Sequence, residues 1–579
     1  MKKLAKEYKS VLGKNKYLIP AITMILCLSI TIGITVMVKS MMGTKTEKIS
    51  IANNTAEEAF YNRKYDAAVA NYTELQEKEE WPIWDIKIAE IYSVKGDFVK
   101  SNEILEKVYQ TRNKIVDTKK EEKNTFEIKD REVTNYIVFT FLMNAENKKA
   151  LEYGELFLKE YPTDKILLNT MFTVYMVNGN NDKAKEIVNN YPRDDETASD
   201  LAILARMNML VDRFDEGFSL LKDAWYKDKN EVKIFDVISQ IAYYDKDDIL
   251  DRISKLEKKE PNELAYKMWS AKIYSMNKES AEKSGELINK LENEDTGNVN
   301  LMLIKSDMYK NTGESDKAKE ALEDVISNNP NSFIGYNAEA LQDYNDKKYK
   351  EAFENCEKSI VMNKDYPGNY AVLIPEILAK QNKSEGAEPY FRTALYKEPF
   401  NYNNIIKTAE YYEKILKDTT KALYYYDLAS KIRPNNADIY YKMSLIKINN
   451  QREDDAIALL KKSISISDKT AKYHRALGNV YLKKEKNEDA LKEIKKAYSI
   501  DKNDILTLNN AGCYYISIDG DTDRGMVNLK AAYDGINEKT SAEDKETITQ
   551  NYDRIKTLSK TSNKKNGATL TITDLKLLY

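Results

Sequence analysis

The sequence holds one histidine, three cysteines and one alternating run of aspartates, and these bound the chemistry it can do. A catalytic histidine needs a partner that orients it. His474 stands in "YHRALGNVYL", a run with helical packing character, and is expected to be a packed or edge residue. A single histidine also removes most zinc chemistry. Cys27, Cys356 and Cys513 have no metal-ligand spacing to one another and cannot form a disulfide framework. In "DGDTDRG", Asp519, Asp521 and Asp523 alternate like the carboxylates that meet a calcium ion at positions 1, 3 and 5 of a loop. Arg524 occupies the place of the turn glycine, and Lys530 stands where a closing glutamate belongs. A turn between two helices accounts for the same residues, so no metal is expected. There is no phosphate loop, nucleophile elbow or dinucleotide fingerprint. The residues therefore suggest a chain without catalytic function or cofactor.

The elements that would position any site are helical. Of 579 residues, 32% are charged and 42% hydrophobic, with only 11 prolines and 19 glycines, a balance that favours long helices. Lys and Arg number 90 against 93 Asp and Glu, for a net charge of −3, and no bulk attraction to nucleic acid follows. Residues 18–38 form an uncharged run of 21, which as a helix spans about 30 Å, the thickness of a bilayer core. Six lysines and one glutamate precede it. This pattern predicts a retained signal anchor at 18–38, a basic cytoplasmic segment at 1–17, a linker at 39–52 and export of everything beyond. Usage rich in Lys, Asn, Ile and Tyr looks like that of a low-GC bacterium.

Beyond the linker the chain repeats. Ala318, Ala352, Ala387, Ala422, Ala456 and Ala490 are spaced by 34, 35, 35, 34 and 34 residues, and Pro330, Pro399 and Pro434 follow three of them at twelve. Ala150, Pro162 and Ala184 continue the pattern upstream. Small residues recur where two helices cross closely, and proline stops the second helix of each unit. The signatures Leu477-Gly478-Tyr481-Ala490-Ala497, Tyr309-Ala318-Leu322-Val325-Pro330 and Gly512-Tyr515-Ala531 resemble the tetratricopeptide repeat family. The resemblance implies an all-α, right-handed superhelical solenoid of about fourteen helix–turn–helix units over 53–535, preceded by the single transmembrane helix. The interval from Ser101 to Ala150 is too long at 49 residues, so the charged insertion at about 110–130 should extend helices or form a solvated loop. A capping helix is expected at 541–561. The tail at 562–579 has no repeat signature, and its "TLTIT" reads as an added strand or a disordered segment.

In the family the first helix of each unit lines a concave groove that takes an extended peptide or a partner helix. The corresponding positions are Asn300, Asn337, Asn369, Asn404, Asn479 and Asn509, interleaved with Leu303, Tyr344, Tyr411 and Tyr441. An asparagine amide both donates and accepts, so it can pair with a peptide backbone without reading side chains. A composition rich in Asn and Tyr would produce the same residues without a groove. A sharper likeness is to members that clamp a terminal carboxylate, which places Arg475, Asn479 and Asn510 on the ligand. Thr540 and Asp544 stand where two further basic residues belong, so that clamp would be incomplete. The resemblance thus implies a membrane-anchored scaffold that docks a protein or peptide in bacterial envelope assembly, secretion or polymer export. Two alternatives stay open: an extracytoplasmic guide for an exported polysaccharide, and an adaptor facing the cytoplasm.

Overall fold

The computed structural model describes residues 50–119, 123–194, 196–291, 297–561 and 575–579. Fourteen antiparallel helix pairs run from Thr55–Tyr61 with Tyr65–Gln76 to Ile505–Tyr514 with Thr522–Asp534, and the single helix Ala542–Thr561 follows them. No strand occurs among the described residues. The chain is an all-helical solenoid of repeated pairs. The anchor read at 18–38 and the "TLTIT" run lie outside the described residues, among which no helix is long and apolar enough to cross a membrane.

Each pair is held at one crossing. Ala150, Ala184, Ala352, Ala422, Ala456 and Ala490 are completely buried there. Near Gly512 and Gly525 the two backbones approach so closely that a Cβ on either would lie within 3.0 Å of the other's carbonyl oxygen. Where serine takes the crossing position, its hydroxyl donates to a carbonyl of the facing helix, Ser101 to Ala89 at 2.7 Å and Ser284 to Ala271 at 2.8 Å. Ser284 thereby phases a unit whose register is obscure in the sequence. Most turns inside the pairs carry a left-handed residue. Glycine serves at Gly96, Gly179, Gly313 and Gly520, whereas Ala145, Asp212, Lys347, Asn382, Lys417, Gln451 and Glu485 do so with side chains.

The charged stretch near 110–130 is taken up by two long helices, Phe98–Thr118 and Lys123–Met143. Their join is locked by Arg112, whose guanidinium grips Asp130 at 2.7 and 2.5 Å and Glu160 at 3.0 and 2.5 Å. Arg112 and Asp130 are both buried, so each satisfies a charge that would otherwise be costly to desolvate.

The first helices of successive pairs touch one another, which curls the array with those helices inside. One full curl brings distant units together. Glu398, after helix Glu388–Lys397, meets Arg206 on Ala198–Leu210 and, at 2.6 Å, Lys233 on Val232–Tyr244. Tyr396 stacks on Tyr136 at 4.0 Å, Phe400 meets Phe172 edge-on at 5.9 Å, and Arg392 donates to Ser93 at 3.0 Å. All five partners lie on first helices. The concave face of the early units is therefore occupied by the tenth and eleventh pairs, and one core joins residues 83–308 to residues 395–446. A groove open along the whole array is not what the chain builds.

Burial opposes the charge on Glu398, but Lys233 and Arg206 outweigh it and hold the carboxyl at about 2. The stability it contributes is complete above the ordinary carboxylate value of 4.5 and is lost as pH falls towards 2. Glu398→Ala leaves the buried Arg206 and Lys233 to share Asp236 alone, so urea unfolding near neutral pH should show a loss of about 3–5 kcal/mol. The gap to the parent chain should narrow through that acid window. Gly525→Ala, which forces a Cβ to 2.3 Å from Ile516, should cost about 1–3 kcal/mol by the same assay.

Candidate functional site

The last three units close on a channel lined by side-chain amides. Asn479 comes from helix Ala471–Lys483, Asn509 and Asn510 from Ile505–Tyr514, and Asn551 from Ala542–Thr561. All four are buried and linked in series. Asn510 donates to Asn479 at 2.9 Å, Asn509 to Asn510 at 3.1 Å and Asn551 to Asn509 at 2.9 Å. Asp504 starts the middle helix, its carboxylate accepting from the Leu506 amide at 3.2 Å and from the Thr507 hydroxyl at 2.5 Å. Its other partner is Arg475, a pairing that fixes the spacing of the first two helices.

The segment Leu575–Tyr579 lies in this channel. Asn510 accepts from the Leu578 amide at 2.9 Å and donates to the Leu578 carbonyl at 2.6 Å. Asn551 does the same for Lys576, at 3.0 and 2.7 Å. Asn479 adds a second bond to the Leu578 carbonyl at 2.5 Å, and Asn509 a second to that of Lys576 at 3.2 Å. In an extended chain the polar groups of residues i and i+2 face the same way, so two amides two residues apart reproduce the edge of a strand. Leu575 enters an apolar pocket of Cys513, Ile516, Leu529 and Ile555, and Leu578 one of Leu508, Ala532 and Ile548. Lys576 is exposed and reaches Gln550 at 3.3 Å. Burial pushes the Cys513 thiol up to about 12, so it serves there as an apolar wall.

Of the positions mapped to a carboxylate clamp, Asn479 and Asn510 thus meet a backbone amide group, and Arg475 is turned onto Asp504. Asn551 was not among the positions singled out. A sequence signal for it exists, since it sits three residues after buried Ile548 and four before buried Ile555, on the inward face of its helix. Upstream, three of the mapped asparagines are tied into the array. Asn300 donates to the Lys229 carbonyl at 3.0 Å, Asn337 to Asn369 at 2.7 Å, and Asn369 to Ser359 at 2.9 Å. Asn404 is buried within its helix. Tyr411 donates to the Glu385 carbonyl at 2.5 Å and Tyr441 packs on Tyr473 at 5.3 Å, while Tyr344 and Leu303 are half-buried among their neighbours. A cavity of about 500 Å³ beside the closure seam is lined by other tyrosines, Tyr61, Tyr72, Tyr136 and Tyr396 among them.

His474 is buried, with Glu493 at 2.6 Å from one ring nitrogen and the Asp468 carbonyl at 3.1 Å from the other, and it joins two parts of its own unit. Asp521 caps helix Thr522–Asp534 by accepting from the Arg524 amide at 2.9 Å. The calcium candidate Asp519, Asp521 and Asp523 is not a metal cluster. No group of three or more His, Cys, Asp or Glu side chains among the described residues is arranged to hold an ion.

Stacked helix pairs, a small-residue crossing in each and an amide-lined inner face define a helical-repeat solenoid with a backbone-reading channel. Three of its units match the tetratricopeptide repeat family model, over residues 299–332, 437–470 and 471–504. No curated protein matches the chain. Among solved structures the chain is similar to the Cut9-Hcn1 hetero-tetramer of the APC/C, at 14% identity over 86% of this chain and 94% of that one, with a TM-score of 0.35. It is similar to yeast Tom70 at 15% identity over 88% and 96%, with a TM-score of 0.33. It is also similar to YrrB, described as a TPR protein with an unusual peptide-binding site, at 20% identity over 33% and 98%, with a TM-score of 0.28.

Replacing Asn510 by alanine removes the acceptor of the buried Leu578 amide. The expected cost is about 1–3 kcal/mol. Hydrogen exchange should show that amide protected in the parent chain and exposed in the variant, with helix Ala542–Thr561 unchanged.

Proposed function

We propose that this chain is a non-enzymatic docking scaffold, and that the channel of its last three units takes an extended segment of a partner protein. The observation that supports this reading is the double pairing of single asparagine amides with both polar groups of one backbone residue. Such pairing gives affinity through the main chain, and the flanking apolar pockets supply selectivity. The channel is preformed by buried amides bonded to one another, so little ordering is needed when a ligand enters.

The same proposal places the chain at a bacterial cell membrane, held by residues 18–38 with its repeats outside, in envelope assembly, secretion or polymer export. The uncharged run and its lysine flank support that placement. Tethering would raise the local concentration of whatever docks.

Selection from a displayed library of seven-residue peptides, against the chain lacking residues 575–579, tests the docking site. Enriched peptides should share apolar residues at fixed spacing with little else in common, and the triple variant Asn479→Ala, Asn510→Ala, Asn551→Ala should enrich none. Enrichment that is indifferent to those three substitutions would move the site elsewhere. For topology, protease shaving of intact cells should remove the repeats, and their survival alongside loss of a known surface protein would place them inside.

A further inference from the structure

The channel is already occupied by the chain itself, and the fit is specific enough to describe what else belongs there. Four buried asparagines make six hydrogen bonds to the main chain of Lys576 and Leu578. Two leucine side chains fill separate pockets, Leu575 between the fourteenth pair and helix Ala542–Thr561, and Leu578 against Leu508, Ala532 and Ile548. Leu577 and Tyr579 pack against the apolar core of the last units, and Lys483 stands 5.2 Å from the Tyr579 ring. Lys576 alone points outward. These contacts come from three successive units, and among the described residues the main chain of the segment is held by those asparagines and the Cys513 thiol. It is bound as a ligand is bound, by side-chain amides and pockets.

We infer that Leu575–Tyr579 is a resident competitor of the docking site, and that the partner segment admitted in its place has the pattern leucine, any residue, two apolar residues, aromatic. This rests on the docking reading above and narrows it. The first and fourth positions are set by the pockets that take Leu575 and Leu578. The second is free, because the Lys576 side chain is solvated and its backbone is what Asn551 reads. The fifth is an aromatic beside a lysine. A tethered segment faces its site at an effective concentration on the order of millimolar. If the emptied site binds a free copy with a dissociation constant of about 10 μM, the intact chain should appear about 100-fold weaker. Partner access is thereby set by how well a competing segment outbinds the resident one.

The test uses a fluorescein-labelled peptide of residues 573–579, TDLKLLY, and anisotropy titrations against three proteins. These are the intact chain, the chain ending at Asp574, and the intact-length variant Leu578→Pro, which loses the amide that Asn510 accepts. The shortened chain and Leu578→Pro should both bind the peptide, and the intact chain about 100-fold more weakly. A peptide carrying Leu575→Asp and Leu578→Asp should not bind. Equal binding by intact and shortened chains would overturn the inference, because the segment would then not be holding the site. A shortened chain that ignores TDLKLLY yet enriches other extended peptides in the library selection would also overturn it while leaving the docking site in place. A shortened chain that binds neither removes both. Concentration-dependent dimers that vanish when residues 575–579 are deleted would assign the segment to a neighbouring copy's channel and overturn its role as a competitor within one chain.

Discussion

The close approach of two helix backbones at a small residue is the constraint on which the rest of this molecule depends. Ala456, Ala490 and the Gly512–Gly525 crossing let each pair bury its inner faces with no spacer between the axes. One such pair is too small to stand alone, so its outer apolar faces must be covered by the next. Repeating one crossing fourteen times fixes a nearly constant step from unit to unit. A constant step with first helices on the inside is a curl, and a curl long enough must return to its own inner face.

That return divides the array into two parts with different uses. In the early and middle units the inner face is filled by helix Glu388–Lys397 and the pairs after it, sealed by the Arg206–Glu398–Lys233 cluster and the Tyr136–Tyr396 stack. The polar residues that the family would place in a groove are therefore spent on internal contacts, as the Asn337–Asn369–Ser359 chain shows. In the final three units no other helix pair among the described residues fills the curve. The amides of Asn479, Asn509, Asn510 and Asn551 line it instead, and their partner is main chain. The same repeat chemistry yields a structural seam at one end and an amide-lined channel around the chain's own segment at the other, and position along the curl decides which.

The period was legible because alanine and proline mark a local requirement that every unit must meet. The unit around Ser284 was not, because a serine that bonds the facing Ala271 carbonyl satisfies that requirement without looking apolar. Closure could not be read from the residues either. Arg206 and Glu398 are 192 positions apart, and nothing in their neighbours records the pitch that joins them. At the channel, repeat phase pointed to Asn479 and Asn510, whereas the species they hold depends on Arg475 being turned away by Asp504, a contact between units. Asn551 escaped notice because the terminal helix lies outside the repeat phase, where only spacing from Ile548 and Ile555 marks its inward face.

The closure seam also changes how the array would respond to tension. An open stack of helix pairs peels from either end one unit at a time, with each step yielding at a similar load. Here residues 83–308 and 395–446 share one core, and the Glu398 cluster and Arg392 pin opposite sides of the curl together, so those two stretches must give way together. The three units beyond them are the compliant part of the spring. A load applied at the far end would distort the amide channel well before it reached the seam.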